Sequence, residues 1–561
     1  MTIHHVPVLI VGSGYAGLTA ALMLSLRGVP CLLVERRATL CDHPRAHGLN
    51  LRSMELLRQV PGLEADLHRA SRAAPGDNTV TIAKTVCGPV MKTMDSPGGF
   101  DTRRLSPTLM CSAGQDRVEP ILLRHARMLG ADIRFATELA AVSQDARGVR
   151  AALRDVASGE ETTVASDYLV AGDGAGSAIR KSLGLDMAGI DGISHAVSIL
   201  FEADLSIAMG GRGFLLCYLR HRDFTGAFVS CDDPDRGQLN IEYDPTREAD
   251  SDFDVARCEK LVRAALGQPD LDVRILDVLP WRMSALLAER MSLGRVFLAG
   301  DAAHIMPPVG GLAGQTAIQD AVDIAWKLAM MIKGEADPAL LDTYDAERRP
   351  VAQLSIARAT ENYVERLRQD RSDLSDAFGR VSNLDVAMSY RYRSPAISLE
   401  EPDDGSPTDD TMHPSGKPGT RLAHVLLMRD GAEISTHDLV GSNFVLLAGP
   451  LGSNWIEGAR AITRRLPVPV MAYQIGVDLI DSSRLLLART GIQPDGALLV
   501  RPDGFIAWRS LSCAADPTEA LERAINSAAC LAPMTHLRDP SVQRGEGFWV
   551  GTQIPERLHG E

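Results

Sequence analysis

Apolar positions in this chain recur at two different periods, and the switches between them mark out its elements. Residues 6–11 (VPVLIV) form a short β-type run, residues 15–27 (YAGLTAALMLSLR) space small and apolar residues as a helix does, and residues 31–35 (CLLVE) make a second short strand. This predicts a βαβ unit within about thirty residues. Residues 119–129 read as an amphipathic helix opened by Asp116 as its cap. Residues 166–171 and 295–299 predict two more buried strands. Residues 315–333 place apolar side chains at i, i+3, i+4 and i+7, a strong helix, and residues 339–369 continue helical.

Between about 187 and 290 the period changes to two. Runs such as HAVSILFEADL and GQLNIEYD predict a mainly antiparallel sheet, and residues 79–110, with several breakers, read as a second insertion. An inserted sheet is a natural wall for a cavity. Residues 394–420 are rich in Pro, Gly, Ser and Asp and read as a linker. Residues 421–534 alternate strands and helices again, a separate small α/β domain, and the polar tail 535–561 is expected to cover surface.

Composition narrows the function classes. A length of 561 residues calls for two or three domains, and 45% hydrophobic residues suffice for a large core. The net charge of −14 disfavours nucleic acid, because an acidic chain gains nothing from counterion release. No apolar run approaches the ~18 residues that span a membrane, and the N-terminus does not read as a signal peptide. The nine cysteines include no C-x-x-C pair, which fits neither a disulfide framework nor a zinc site; no metal is expected, and the location is expected to be cytoplasmic.

Three segments carry chemistry. Gly12, Gly14 and Gly17 form G-x-G-x-x-G directly after a strand and before a helix. The first glycine makes the turn, the second admits a pyrophosphate, and the third lets helix and strand pack. Glu35 ends the second strand, where a carboxylate accepts from ribose hydroxyls. The second segment, GDGAGSAIRKSLG (172–184), follows a strand with Asp173 and also reads as a simple capped junction. The third, GDAAHIMPPVGGLAGQTAIQD (300–320), ends a strand at Asp301, stiffens at Pro307 and Pro308, and opens a helix near Gln315 whose positive end points back at the site.

These three motifs, in this order and spacing, resemble the FAD-dependent aromatic hydroxylases, the single-component flavoprotein monooxygenases of the p-hydroxybenzoate hydroxylase type, over roughly residues 5–395. HPRAHGLNLRSMELLR (43–58) resembles the arginine segment of that family, and QDRVEPILLRHA (115–126) its glutamine segment. The resemblance implies that Gly12, Gly14, Ala16, Gly17, Glu35, Arg36, Arg45, Gln115, Leu139, Asp173 and Asp301 serve FAD. It implies that Ala313 and Gly314 face the flavin's pyrimidine edge, and that Arg45 and Pro308 stand at the reaction centre. The segment at Asp173 would serve NADPH or NADH as well. The domains implied are an FAD-binding unit (1–78, 111–186, 290–393), a substrate-binding unit (79–110, 187–289), the linker, and a thioredoxin-like C-terminal domain (421–534). The length and that last domain, with LLVRPDGFIAWR (498–509), resemble the aromatic polyketide hydroxylases of antibiotic pathways and the larger phenol hydroxylases. The loop reads GGLAGQTA where the family has G-G-x-G-x-N-T-G, so Ala313, Gln315 and Ala317 depart from it; the Gln315 amide can still donate.

The activity implied is hydroxylation of a phenolic ring with O2 and NAD(P)H by way of a flavin C4a-hydroperoxide, most simply of a polycyclic polyketide. A simple phenol hydroxylase and a non-catalytic FAD-binding gatekeeper are the alternatives. A halogenase would carry a tryptophan-rich motif and a lysine that this chain lacks. A base or positive field would activate the phenol; Arg45 offers the field, and His47 and His221 are candidate bases that read equally as structural residues. Tyr218, Phe228, Tyr243 and Trp281 are candidates to hold a flat small-molecule aromatic substrate, and read also as ordinary core of the inserted sheet. The resemblance points to a homodimer.

Overall fold

The computed structural model describes residues 4–41, 43, 45–71, 78–94, 102–374, 381–400, 402–531 and 550–553. The chain opens with β1 (His4–Val11), α1 (Tyr15–Leu26) and β2 (Cys31–Val34). β3 (His47–Leu49), α2 (Leu51–Leu57) and α3 (Leu63–Ala70) lead to the hairpin of β4 (Asn78–Ala83) and β5 (Val90–Met94). Then come β6 (Cys111–Gly114), α4 (Gln115–Met128), β7 (Asp132–Arg134), β8 (Thr137–Gln144), β9 (Val149–Asp155), β10 (Glu161–Ala171) and α5 (Ala178–Ser182).

Next follow β11 (Met187–Glu202), α6 (Ser206–Met209), β12 (Phe214–Arg220), β13 (Thr225–Ser230), β14 (Arg236–Tyr243), α7 (Val255–Leu266) and β15 (Arg274–Ala288). β16 (Ser292–Leu293), β17 (Val296–Leu298) and β18 (His304–Ile305) precede the long helices α8 (Ala313–Lys333) and α9 (Ala339–Arg366), then α10 (Asn383–Met388). The last part holds β19 (Leu426–Arg429), β20 (Ala432–Ser435), β21 (Phe444–Ala448), α11 (Ser453–Ile462), β22 (Val470–Gln474), α12 (Leu485–Thr490), β23 (Ala497–Val500), β24 (Ile506–Ser510), α13 (Pro517–Ala528) and β25 (Val550–Gln553).

The first sheet runs β25-β8-β9-β10-β1-β2-β7, with β17 also on β10. β1 pairs in parallel with β2 and β10, and β17 in parallel with β10. Val8, Leu9 and Ile10 are wholly buried on both faces, which is why that strand reads as an unbroken apolar run. The carboxyl ends of these strands meet at one edge. Gly12 N donates to Val34 O at 2.9 Å, Gly172 N to Val11 O at 2.8 Å, and Ala299 N to Ala171 O at 2.9 Å. All three motifs therefore leave the sheet side by side.

The second sheet runs β18-β15-β11-β14-β13-β12-β4-β5, antiparallel except where β12 meets β4. One face packs Phe201, Phe228, Leu239 and Ile241 with Cys258, Val262 and Leu266 of α7. The other face looks into the interior. In the C-terminal domain β21 pairs in parallel with β22 and antiparallel with β23, which pairs antiparallel with β24, a thioredoxin-like sheet backed by α11 and α13. Its core takes in Trp326 and Met330 of α8, so it is continuous with the first domain.

Three elements differ from expectation. The helix predicted from residue 119 begins at Gln115 and is entered at Gly114 without a side-chain cap, so Asp116 lies in its first turn, where the helix dipole favours a negative charge. α8 begins at Ala313, not near Gln315. The predicted linker is tied down: Ser398 N donates to Ala507 O and Gly419 N to Ile506 O, both at 2.8 Å, while Arg391 and Arg393 pair with Asp403. Of the tail, β25 pairs with β8, and the remaining residues after 531 lie outside those described.

Candidate active site

A cavity of roughly 2070 Å³ joins the carboxyl edge of the first sheet to the open face of the second. At the sheet edge the backbone decides its shape. A Cβ on Gly12, which has φ +101°, would lie 2.3 Å from Gly172 O, and one on Gly17 would lie 1.8 Å from Gly12 O. Gly17 does not line the cavity; it sets the loop that does. A Cβ on Gly14 would meet only Glu119 Oε1, at 3.9 Å, and Gly14 caps α1 with no side chain. The first-turn N–H groups of α1 thus face open space, which is the cradle an anionic pyrophosphate needs.

Glu35 lines the cavity beside it and accepts from Ser13 N at 2.9 Å and Ser13 Oγ at 3.0 Å through one oxygen. Ala16, Arg36, Arg45, Gln115, Leu139, Asp173, Asp301, Pro308, Ala313 and Gly314 also line it. Asp301 has its side chain open to the cavity although protein surrounds it, and that desolvation raises its carboxyl above the usual range, with His304 and Arg45 opposing. Ala313 and Gly314 open α8 with no side-chain cap, so that end too presents free N–H groups. These bare N–H groups and the Glu35 and Asp301 carboxylates fit a dinucleotide with hydroxyls along its length.

Several side chains are committed elsewhere. Asp173 accepts from Ser177 Oγ at 2.6 Å and Ile179 N at 3.2 Å, so it organises the start of α5. Gln315 does not donate into the cavity: its Nε2 donates to Gly48 O at 2.9 Å and its Oε1 accepts from Asn50 N at 3.0 Å, clasping the loop between β3 and α2. Gln115 Nε2 donates to Glu119 Oε1 at 2.5 Å. Glu119 had no signal of its own in the sequence; burial pushes its carboxyl up to about 7.

The sheet face supplies the other half. Alternation puts Leu216 and Tyr218, Ala227 and Val229, Gln238 and Asn240, Ala196 and Ser198, and Leu279 and Trp281 toward the cavity. Phe228 and Tyr243 are corrections to the sequence reading. Phe228 is wholly buried on the α7 side, and Tyr243 packs there against Phe253 and His195. His221 also lies outside the cavity, stacked on Phe224 at 4.4 Å. His47 lines it, stacked on Phe214 at 4.4 Å, and burial lowers its imidazole. Arg366, at the end of α9, was not visible in any motif. It is buried, lines the cavity, and donates to Tyr218 Oη at 3.1 Å with its guanidinium over that ring.

Away from the cavity, Asp323, Glu347 and Asp503 bring three buried carboxylates together, and Lys327 and Arg501 lie among them as their ion-pair partners.

Residues 5–359 match the model of the FAD binding domain family, and residues 415–529 match that of the aromatic-ring hydroxylase C-terminal family. The chain belongs to the FAD-dependent aromatic-ring hydroxylases. It is 41% identical over 534 residues to aklavinone 12-hydroxylase RdmE of Streptomyces purpurascens, covering 93% of this chain and 98% of that one. It is 40% identical over 537 residues to 4-methyl-5-nitrocatechol 5-monooxygenase of a Burkholderia species, covering 94% and 98%. Its structure matches that of aklavinone-11 hydroxylase in a ternary complex with FAD and aklavinone, with a TM-score of 0.90, 39% identity, and coverage of 94% and 100%. This hydroxylase is accordingly an FAD-dependent aromatic monooxygenase, and its loop departures at Ala313, Gln315 and Ala317 leave the fold intact. Among the described residues no helix is long and apolar enough to cross a membrane.

Proposed function

We propose that this hydroxylase inserts one oxygen atom of O2 into a phenolic ring of a polycyclic aromatic polyketide, with NADPH or NADH as reductant. One observation carries the substrate class. Ser198 pairs with Asn240, Asn240 with Ala227, and Ala227 with Tyr218, a straight row across four strands whose members all line the cavity. Three interstrand steps separate the polar ends of that row by about 14 Å. A fused multi-ring phenol is long enough to touch both ends, and a single ring is not. The aklavinone named for two of the similar proteins belongs to that class.

Bound FAD supplies hydride acceptance and oxygen activation. The Gly12–Gly14 loop and the α1 N-terminus would hold its pyrophosphate, Glu35 a ribose, Asp301 the ribityl chain, and the α8 N-terminus the ring edge. Arg45, exposed to the cavity, adds positive charge beside Asp301. At the sheet, Arg366 and Tyr218 present a cationic, hydrogen-bonding pair that orients a phenol and favours its anion, and Trp281 offers a flat apolar wall. We read the assembly as a homodimer in the cytoplasm, which sedimentation and cell fractionation check.

The test is NADPH and NADH consumption by the FAD-loaded protein with aklavinone, other hydroxyanthraquinones and simple phenols, with product mass followed. Strong stimulation by a multi-ring phenol with a gain of one oxygen is expected. Stimulation only by a catechol or phenol would replace the polyketide reading, and absence of flavin reduction under every ligand would replace it with the gatekeeper reading.

A further inference from the structure

At the far end of the row from Tyr218, a hydroxyl, an imidazole and a carboxylate stand in line. Ser198 Oγ lies 3.0 Å from His43 Nε2, and His43 Nδ1 lies 2.8 Å from Asp277 Oδ2. Gln238 Nε2 donates to Ser198 Oγ at 2.5 Å. Ser198, His43 and Gln238 line the cavity and are buried, whereas the Asp277 side chain is 53% exposed. The line therefore begins inside and ends in water.

One hydrogen assignment satisfies every contact. Gln238 donates to Ser198, the Ser198 hydroxyl donates to Nε2, and Nδ1–H donates to Asp277. Ser198 Oγ then keeps a lone pair for a hydroxyl in the cavity. The order resembles the hydroxyl–imidazole–carboxylate arrangement used for nucleophilic catalysis, but the setting differs. Ser198 sits within the continuous ladders of β11 with β14 and β15 rather than on a tight turn, and the Gln238 donor occupies its oxygen.

We propose that Ser198, His43 and Asp277 form a proton-exit relay that carries the proton of a substrate phenol from the cavity to solvent. The proposal rests on the phenol-hydroxylase reading above. The substrate O–H bond breaks as its proton goes to Ser198 Oγ. The serine's own proton moves to His43 Nε2, and the Nδ1 proton passes to Asp277 and on to water. The products are a bound phenolate and a released proton, and no electron is transferred. The phenolate is the electron-rich form that a ring-hydroxylating enzyme needs, and the line gives its proton a hydrogen-bonded path to the exposed Asp277. Facing His43 are Asp277 from β15 and Cys41, with Arg45 donating to the Cys41 thiol, from its own segment; β11 and β14 present the neutral Ser198 and Gln238.

The test needs neither nicotinamide nor O2. Aklavinone is bound to the FAD-loaded protein and the pH is jumped upward in a stopped-flow cell, with the colour of the hydroxyanthraquinone anion reporting ionisation. We expect Ser198→Ala and His43→Ala to slow ionisation at least tenfold with the bound flavin spectrum unchanged. Ser198→Thr should keep the rate, and free imidazole should restore it in His43→Ala. Unchanged rates in both alanine variants would overturn the proposal, as would a slowed His43→Ala that imidazole does not rescue while Ser198→Thr is equally slow. A Ser198-dependent burst of nitrophenol from nitrophenyl acetate would overturn it in favour of acyl transfer. Failure of the hydroxylase reading is seen separately, as absence of an oxygenated product when NADPH and O2 are added.

Discussion

Gly17 has no room for a side chain, and that fact tests the cofactor cradle at one atom. The 1.8 Å approach of a Cβ to Gly12 O can be relieved only by moving α1 or the loop. Gly17→Ala should therefore emerge with little or no flavin, read as the ratio of flavin to protein absorbance, whereas Gly14→Ala, which meets only Glu119 at 3.9 Å, should still fold as wild type does. Glu119 gives a second residue-scale prediction, on pH. Burial raises its carboxyl to about 7 from the usual 4.5, so the folded chain holds a proton there that the unfolded chain releases. The stability linked to that proton is complete below the unfolded pKa and is lost as the pH rises through 7, about 3 kcal/mol in all at ~1.4 kcal/mol per unit. Glu119→Gln keeps an oxygen for the Gln115 amide and cannot ionise. Its apoprotein melting temperature should fall less between about pH 4.5 and pH 7.5 than that of wild type; parallel curves would show that Glu119 is not the group responsible.

At the scale of single elements, a strand's two faces have different duties, and the sequence hides which is which. Tyr218, Phe228, Tyr243 and Trp281 all sit on alternating runs, and composition alone treats them alike. The fold assigns Tyr218 and Trp281 to the cavity and Phe228 and Tyr243 to the α7 side, because the register carried from β15 through β11, β14 and β13 to β12 fixes which face each side chain takes. That register depends on partners distant in sequence, so no local pattern announces it. By contrast, the glycine turn, Glu35 and Asp301 were legible, since each ends a strand and short-range geometry forces its position. Arg366 was not, because its contact with Tyr218 spans two domains. The two faces should separate in experiment. Phe228→Ala should cost about 3–5 kcal/mol in urea unfolding, as large-to-small changes in a closed core do, with little change in KM. Trp281→Ala should raise KM severalfold with a smaller loss of stability. A Phe228→Ala variant with wild-type stability and a raised KM would mean that the sheet is turned over.

Across the whole molecule, the C-terminal domain is tied to the long helices α8 and α9 by buried charge. Arg501, at the end of β23, donates to both oxygens of Glu347 at 2.5 and 2.8 Å and also holds Asp503; all three side chains are buried. Glu347 precedes Arg348 on α9, whose Nε lies 2.8 Å from Asp320. Asp320 accepts from Gly300 N at 3.1 Å and bonds His304 at 2.7 Å, bracketing Asp301. Burial alone would expel these charges, and only their mutual pairing keeps them ionised. Removing one partner therefore strands the others. Arg501→Met leaves Lys327 as the remaining cation among Glu347, Asp323 and Asp503, and should cost about 3–5 kcal/mol. Because Glu347 adjoins Arg348, the partner of the Asp320 that braces Gly300, the variant should also release FAD at lower urea than wild type. Adding Glu347→Gln should recover part of the loss, since it removes the stranded charge. Additive losses in that double-mutant cycle would show that the two residues stabilise the molecule independently and that the C-terminal domain does not reach the flavin loop by this route.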